Sequence, residues 1–248
     1  MATAPRVIVV DSVDSTNSYI KQLTDAAHTT VVACREQTAG RGQRGNHWEA
    51  EPGKNLTFSL LIRPTGIGAA NQFSISRAVA LGIVDVVKRH LGPDSDVAVK
   101  WPNDIYVGDR KICGILIENS LTGSVIVRSI IGVGLNVNQT EFRSDAPNPI
   151  SLKQLTDDDY DLDALLGETV DAIVSRIEEE NASRGEASAE EYFNNLWRRN
   201  GFHTYSTPTG ERFDAAIESI DSMGFLTLRH RDSTLTRHAF KEVHHILR

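Results

Sequence analysis

Six short apolar runs recur between residues 6 and 138: "RVIVV", "TTVVACRE", "LTFSLLI", "VAVKW", "KICGILIEN" and "VIVRSIIGVGLNVN". Each has strand length and is bounded by turn signals, which commits most of the chain to a sheet. Among them lies one stretch of a different period. "NQFSISRAVALGIVDVVKRHLGP" sets Phe73, Val79, Ile83, Val86 and Val87 at helical spacing and stops at Gly92 and Pro93. A second helical stretch, "LDALLGETVDAIVSRIEEE", puts Leu162, Leu165, Leu166, Val170, Ile173 and Ile177 on one face. A third is expected to begin at Ser188, with Glu191 completing a capping box, and to end near Gly201. From His203 onward the texture changes to "RFDAAIESI", "GFLTLRH" and "TRHAFKEVHHIL", separated by the turns "DSMG" and "HRDS". The pattern predicts an α+β fold. A central mixed β-sheet flanked by helices occupies residues 1–202, and a small antiparallel, barrel-like β unit occupies 203–248.

Composition narrows the function classes. A chain of 248 residues with 40% hydrophobic and 24% charged residues is an ordinary globular protein. It has no apolar run of the roughly 18 residues a membrane span needs, and its start lacks the pattern of a secretory signal. A cytoplasmic address is expected, with no membrane partner. The net charge of −7 disfavours nucleic-acid gripping as the main task. Only six residues precede "VIVV", so no N-terminal DNA-reading domain and no DNA partner are expected. Cys34 and Cys113 read as two buried reduced thiols, and no paired cysteine or histidine spacing supports zinc.

The stretch "QTAGRGQRGNHW" contains Gly40, Gly42 and Gly45 in a G-x-G-x-x-G spacing. A dinucleotide fingerprint needs a helix behind it and a carboxylate about 20 residues on. Here "NHWEAEPGKN" has no helical period, and Leu60, Leu61, Ile62 and Arg63 offer no acid. What remains is a pliable loop carrying Arg41 and Arg44 as bidentate anion donors, a segment suited to ordering over a negative ligand.

Three other polar stretches interrupt the apolar strands. "DSTN", Asp14 to Asn17, precedes a short helix, with Asp14 or Ser15 as a natural N-cap and free N–H groups at the helix start. "KWPNDIYVGDRKICGILIE" strings Lys100, Asn103, Asp104, Lys111 and Glu118 along strand, turn and strand. "GVGLNVN" puts Gly132 and Gly134 inside a core strand, where glycine marks a bulge or close approach of a ligand. Together they suit a small polar ligand with a carboxylate beside a nucleotide triphosphate and Mg²⁺. No P-loop and no nucleophile elbow occur.

In this order and spacing "DSTN", "GRGQRGNHW", "KWPND", "DRKICGI" and "GVGLN" resemble bacterial biotin-protein ligases, in the form without an N-terminal DNA-binding domain. The resemblance runs from about residue 7 through the C-terminal β unit. It implies the class II aminoacyl-tRNA-synthetase-like biotin/lipoate ligase fold with an SH3-like C-terminal barrel. The implied reaction has two steps: biotin and ATP give biotinyl-5′-AMP and pyrophosphate, and a lysine of a biotin carboxyl carrier domain then displaces AMP. By the same resemblance Ser15, Thr16, Asn17 and Gln37 hold the biotin ureido group, with Gly40, Gly114 and Gly132 beside them. Arg41 and Lys111 meet the biotin carboxylate and α-phosphate, Lys111 being the group most needed in the transition state. Asn103 and Asp104 help place phosphates and Mg²⁺. Arg44, Trp48, Lys100, Gly134 and Asn136 fall on the nucleotide side. Gln43 stands where many family members carry a second arginine. A homodimer is compatible with all of this. The rivals are a lipoate-protein ligase, which shares the acyl-adenylate chemistry, and a biotin-responsive regulator or non-catalytic biotin-binding module.

Overall fold

A computed structural model describes residues 5–24, 26–42, 47–143 and 148–246. Gln43, Arg44 and Gly45, with the expectations attached to them, lie outside the described residues.

The chain runs β1 (Arg6–Val13), α1 (Thr16–Gln22), β2 (Thr30–Gln37), β3 (Leu56–Ile62), α2 (Phe73–Leu91), β4 (Val97–Lys100), β5 (Asp104–Val107), β6 (Arg110–Thr122) and β7 (Val125–Leu135). Next come α3 (Leu152–Thr156), α4 (Leu162–Ser183) and α5 (Ala189–Asn194). The last strands are β8 (His203–Ser206), β9 (Arg212–Ile220), β10 (Leu226–His230), β11 (Leu235–His238) and β12 (His244–His245). Seven strands form one sheet in the order β1-β2-β3-β7-β6-β5-β4. Only β1 and β2 pair in parallel, so the sheet is mixed as expected. β3 is buried along its whole length, because helices cover both faces of the centre.

Alternation decides which face meets which helix. Phe58, Leu60, Ile131, Val133 and Ile115 join the main core with Val79, Ile83 and Val87 of α2 and Val170, Ile173 and Ile177 of α4. The opposite parity, Val32, Leu61 and Ile130, packs under Ile20 of α1 as a small separate cluster. Because α1 is short, it covers only part of that face, and the uncovered part is the candidate site. α2 ends where expected, at Gly92 with φ 96°.

The C-terminal strands form a five-stranded antiparallel sheet, β11-β10-β9-β8-β12, with β11 and β12 at its ends. No pairing joins β11 to β12 among the described residues. Trp101 Nε1 donates to the Gly224 carbonyl at 3.0 Å, and Phe240 packs on both Trp101 and Phe73. Among the described residues no helix is long and apolar enough to cross a membrane.

Two local expectations fail. Ser188 is the N-cap of α5 but makes no capping bond, and the helix stops at Asn194 rather than near Gly201. Its hydroxyl and amide both serve the Glu180 carboxylate, which is fully buried beside Arg77. A lost cap costs about 1 kcal/mol, whereas a buried carboxylate stripped of its partners costs about 3–5 kcal/mol. The carboxylate therefore takes the serine. A reciprocal capping box does exist, between Ser151 and Gln154 at the start of α3. At α1 Ser15 is the N-cap, as expected, but its side chain makes no capping bond. Asp14 Oδ1 accepts from the Ser15 amide, and Gln37 Oε1 accepts from the Thr16 amide at 2.9 Å.

Candidate active site

The floor of the site is two adjacent rows across the large sheet. One row joins Thr57, Gly134, Gly114, Asp104 and Lys100 through consecutive strand pairings, and the other joins Ser59, Gly132 and Leu116. Glycine at the centre of both rows opens a trough. A Cβ at Gly132 would sit 2.5 Å from Asn17 Oδ1, and one at Gly134 would overlap the Trp48 indole. Above the trough lies a cavity of about 960 Å³, closed at one end by α1 and bordered at the other by residues of the C-terminal sheet. Small-molecule sites run to about 1,000 Å³, so the space suits a large ligand.

The end under α1 is neutral and tightly bonded. Ser15, Thr16 and Asn17 are buried, and Thr16 donates from both its amide (2.9 Å) and its hydroxyl (3.2 Å) to Gln37 Oε1. Ser59 Oγ lies 2.7 Å from Thr16 Oγ1 and 2.5 Å from Asn17 Oδ1. Asn17 Nδ2 donates to Glu118 at 2.8 Å, and Lys21 holds the other Glu118 oxygen at 2.6 Å. Burial pushes the Glu118 carboxyl up, but hydrogen bonds from Lys21 and Asn17, with the charges of Lys21 and Arg41, hold it below its ordinary value.

The other end is cationic. Arg41, Lys100, Lys111, Arg143 and Lys241 line the cavity against a single carboxylate, Asp104, among the described residues. Lys111 Nζ pairs with Asp104 at 2.7 Å and lies 5.7 Å from the centre of the Trp48 ring. Lys100 donates to the Tyr106 hydroxyl at 3.0 Å and stacks over that ring. Burial pulls its pKa down, against the opposing pull of Asp104. Trp48 is held by its amide on the Gly40 carbonyl at 3.1 Å, and its buried indole N–H has no protein partner. His245 also borders this end. Both its ring nitrogens are buried without partners, and desolvation first, then Lys100 and Arg198, push its pKa down to about 3. Nothing resembling a cluster of metal-ligating side chains occurs among the described residues.

Most residues singled out from the sequence meet here: Ser15, Thr16, Asn17, Gln37, Arg41, Trp48, Lys100, Asn103, Asp104, Lys111, Gly114, Gly132 and Gly134. Asn103 lines the cavity, yet its amide is committed to the Ile115 carbonyl at 2.6 Å, beside the cis Trp101–Pro102 peptide. Gly40 stands just behind, between Gln37 and Trp48. Asn136 does not line the cavity. It is buried, and its amide ties the end of β7 to the Ile150 carbonyl. Cys34 and Cys113 are free and buried, with burial raising the Cys34 pKa to about 12. Sequence reading missed Ser59, Tyr106 and the contribution of Lys241, Val243, His244 and His245. Ser59 was detectable as a polar residue inside an apolar strand, on the same parity as Thr57. The C-terminal residues carried no local signal.

The family model described as Biotin/lipoate A/B protein ligase family matches residues 9–136. The biotin--[acetyl-CoA-carboxylase] ligase of Paracoccus denitrificans is 37% identical over 125 residues, 50% of this chain and 51% of that protein. The bifunctional ligase/repressor BirA of Escherichia coli is 37% identical over 134 residues, 53% of this chain and 40% of that protein. The chain thus spans about half the length of the curated relatives it matches, or less. Among solved structures, the biotin protein ligase from Aquifex aeolicus in complex with biotin and ATP aligns with a TM-score of 0.80 at 20% identity, covering 97% of this chain and 99% of that one. The Leishmania major biotin protein ligase in complex with biotinyl-5-AMP aligns at 0.65 and 22% identity, covering 96% and 100%. At such identities the likeness is one of fold, and it extends over the mixed sheet with its flanking helices. With the model match spanning more than half of its length, the chain belongs to the biotin/lipoate A/B protein ligase family.

Proposed function

We propose that this chain is an ATP-dependent biotin-protein ligase that makes biotinyl-5′-AMP and passes the biotinyl group to a lysine of a biotin carboxyl carrier domain. One observation carries the reading: a single trough joins a neutral, hydrogen-bonded pocket to a cationic one. The neutral end supplies donors and acceptors for a ureido ring, whose buried polar atoms need partners. The cationic end supplies charge for phosphates. Lipoate has a dithiolane in place of the ureido ring and would leave the Thr16, Asn17, Ser59 and Gln37 groups facing sulfur and carbon, which favours biotin.

In the first step a biotin carboxylate oxygen bonds to the α-phosphorus as the bond from that phosphorus to the bridging oxygen breaks. The electron pair and negative charge leave with pyrophosphate. Lys111, fixed between Asp104 and Trp48, stands where that charge develops, and Arg41 and Lys100 extend the field. Asp104, the carboxylate that lines this end among the described residues, would hold a magnesium ion, which would supply further charge neutralisation there. In the second step the acceptor amine bonds to the acyl carbon, loses a proton, and AMP departs. Arg41, at the edge of the cavity, helps keep water from the anhydride in the interval. Residues 203–248 complete this design as a separate SH3-like domain contributing Lys241 and His245 to the cavity, with 1–202 as the catalytic domain. The reading keeps the cytoplasmic address.

The test is to supply purified chain with biotin, Mg²⁺, ATP and a carrier domain and to weigh the carrier. A biotinyl mass gain on its lysine is expected. Pyrophosphate exchange into ATP driven by lipoate but not biotin would reject the reading.

A further inference from the structure

We propose that Glu118, anchored by Lys21 at the surface, is a positioning residue that fixes which way the Asn17 carboxamide faces, and so makes the closed end of the cavity selective for a cyclic urea N–H. The inference rests on the biotin reading above. Neither Glu118 nor Lys21 lines the cavity, and their ion pair is about two-fifths exposed, with side-chain exposures of 39% and 40%. Exposed pairs of this kind contribute little to folding stability, so recognition is where the effect falls.

An ionised carboxylate only accepts, so the atom facing Glu118 Oε2 at 2.8 Å must be the Asn17 nitrogen. Lys21 on the second oxygen at 2.6 Å keeps Glu118 ionised at neutral pH, in keeping with its lowered pKa. The Asn17 oxygen is therefore turned inward, over Gly132, where a Cβ would touch it. One of its lone pairs takes the Ser59 hydroxyl at 2.5 Å, and the other remains for a ligand. With the Ser59 proton committed to Asn17, the Thr16 hydroxyl has one proton for either Ser59 Oγ at 2.7 Å or Gln37 Oε1 at 3.2 Å, and Gln37 Oε1 is in either case filled by the Thr16 backbone amide at 2.9 Å. That leaves Gln37 Nε2 as a donor on the Gly40 side. The surface ion pair thus fixes an acceptor at Asn17, while the Thr16 backbone amide independently leaves a donor at Gln37. A ring bearing N–H and C=O satisfies both. Were Asn17 flipped, its oxygen would face the carboxylate and its nitrogen would face an N–H.

The test compares binding of biotin with that of two analogues, each with one ring N–H replaced by methylene, to the 248-residue wild-type chain, Glu118→Leu, Glu118→Gln and Lys21→Met. Wild type is expected to prefer biotin over one analogue by about 100-fold or more. In Glu118→Leu that preference falls to about tenfold or less, because biotin weakens while the analogue does not. Glu118→Gln, which can still accept, and Lys21→Met lie between. The rate of biotin-driven pyrophosphate release at saturating biotin stays within about threefold, since the reacting end is untouched. An equal loss for biotin and analogue, or no loss, overturns the role of Glu118 while leaving the ligase reading intact. A wild-type chain that ignores biotin overturns both. If Glu118→Leu does not fold, the ratios of Glu118→Gln and Lys21→Met decide.

Discussion

The two ends of the cavity solve opposite problems with opposite materials. Under α1, Thr16, Asn17, Ser59 and Gln37 are nearly all buried and bonded to one another, and each comes from a helix or strand. At the far end, among the described residues, Lys111, Lys100, Arg41, Arg143 and Lys241 outnumber the single carboxylate Asp104, and several come from loops. A satisfied neutral network in a rigid frame discriminates by shape and hydrogen bonding, because any mismatch leaves a buried group unpaired. An excess of charge does not discriminate well, but it strengthens as negative charge builds up during reaction. In the proposed function, one end therefore chooses the ligand and the other end drives the chemistry.

The largest expected effect comes from breaking the charged end at its centre. Lys111→Ala should lower biotin-dependent pyrophosphate release by roughly 100- to 1,000-fold, the scale for losing one group aimed at developing charge. A normal rate would show that the Asp104–Lys111 pair is structural. The next effect separates the two ends within one strand. Gly132→Ala presses on Asn17, whereas Gly134→Ala presses on Trp48. Overpacking of this kind costs about 1–3 kcal/mol. The first variant should raise KM for biotin and the second KM for ATP, each by about tenfold or more. Identical behaviour of the two variants would dissolve the division. Smaller still, Arg41→Ala should speed the escape of biotinyl-AMP by about tenfold, as followed by displacement of labelled adenylate, because its side chain edges the cavity rather than sealing it.

These contrasts bear on what a sequence reveals. Ser15, Thr16, Asn17 and Lys111 were legible as cavity-lining residues because they lie in contiguous motifs, "DSTN" and "DRKICGI", whose register on a strand or helix start follows from local pattern. β3 was legible for the same reason, its seven residues being one uninterrupted buried run. What escaped depends on partners far along the chain. "TRHAFKEVHHIL" reads as a single strand, but it breaks after His238 so that Phe240 can pack on Trp101 and Phe73, and it resumes at His244. That break is what carries Lys241 and His245 to the cavity. Ser188 offers a capping box in sequence and gives its hydroxyl to Glu180 in space. Asn136 reads as a ligand-facing amide and instead holds the Ile150 carbonyl, whereas Asn103 does line the cavity while its amide nitrogen holds the Ile115 carbonyl. An amide in a motif has several partners available, and only the fold decides among them.

The smallest effect tests the charged end without touching its lysines. His245 packs its ring on Trp197 (5.1 Å) and Tyr205 (4.6 Å), and neither nitrogen has a partner. Desolvation, reinforced by Lys100, Arg198, His203 and His244, holds its folded pKa at about 3, while in the unfolded chain a histidine titrates near 6.5. Between those values the unfolded chain binds the extra proton. Stability attributable to this group is therefore present above about pH 6.5 and declines as pH falls toward 3, by up to about 1.4 kcal/mol per pH unit. The Glu118 carboxyl at the neutral end works in the same direction but lower, because its depressed pKa keeps it ionised until well into the acid range. His245→Phe keeps the ring contacts and removes the titration. Urea unfolding at pH 6.5 and 4.5 should show wild type losing on the order of 2 kcal/mol more than the variant across that interval. Equal losses would mean that the protonated ring finds an acceptor on opening, and that the cationic crowding at this end is relieved by local rearrangement rather than borne by the fold.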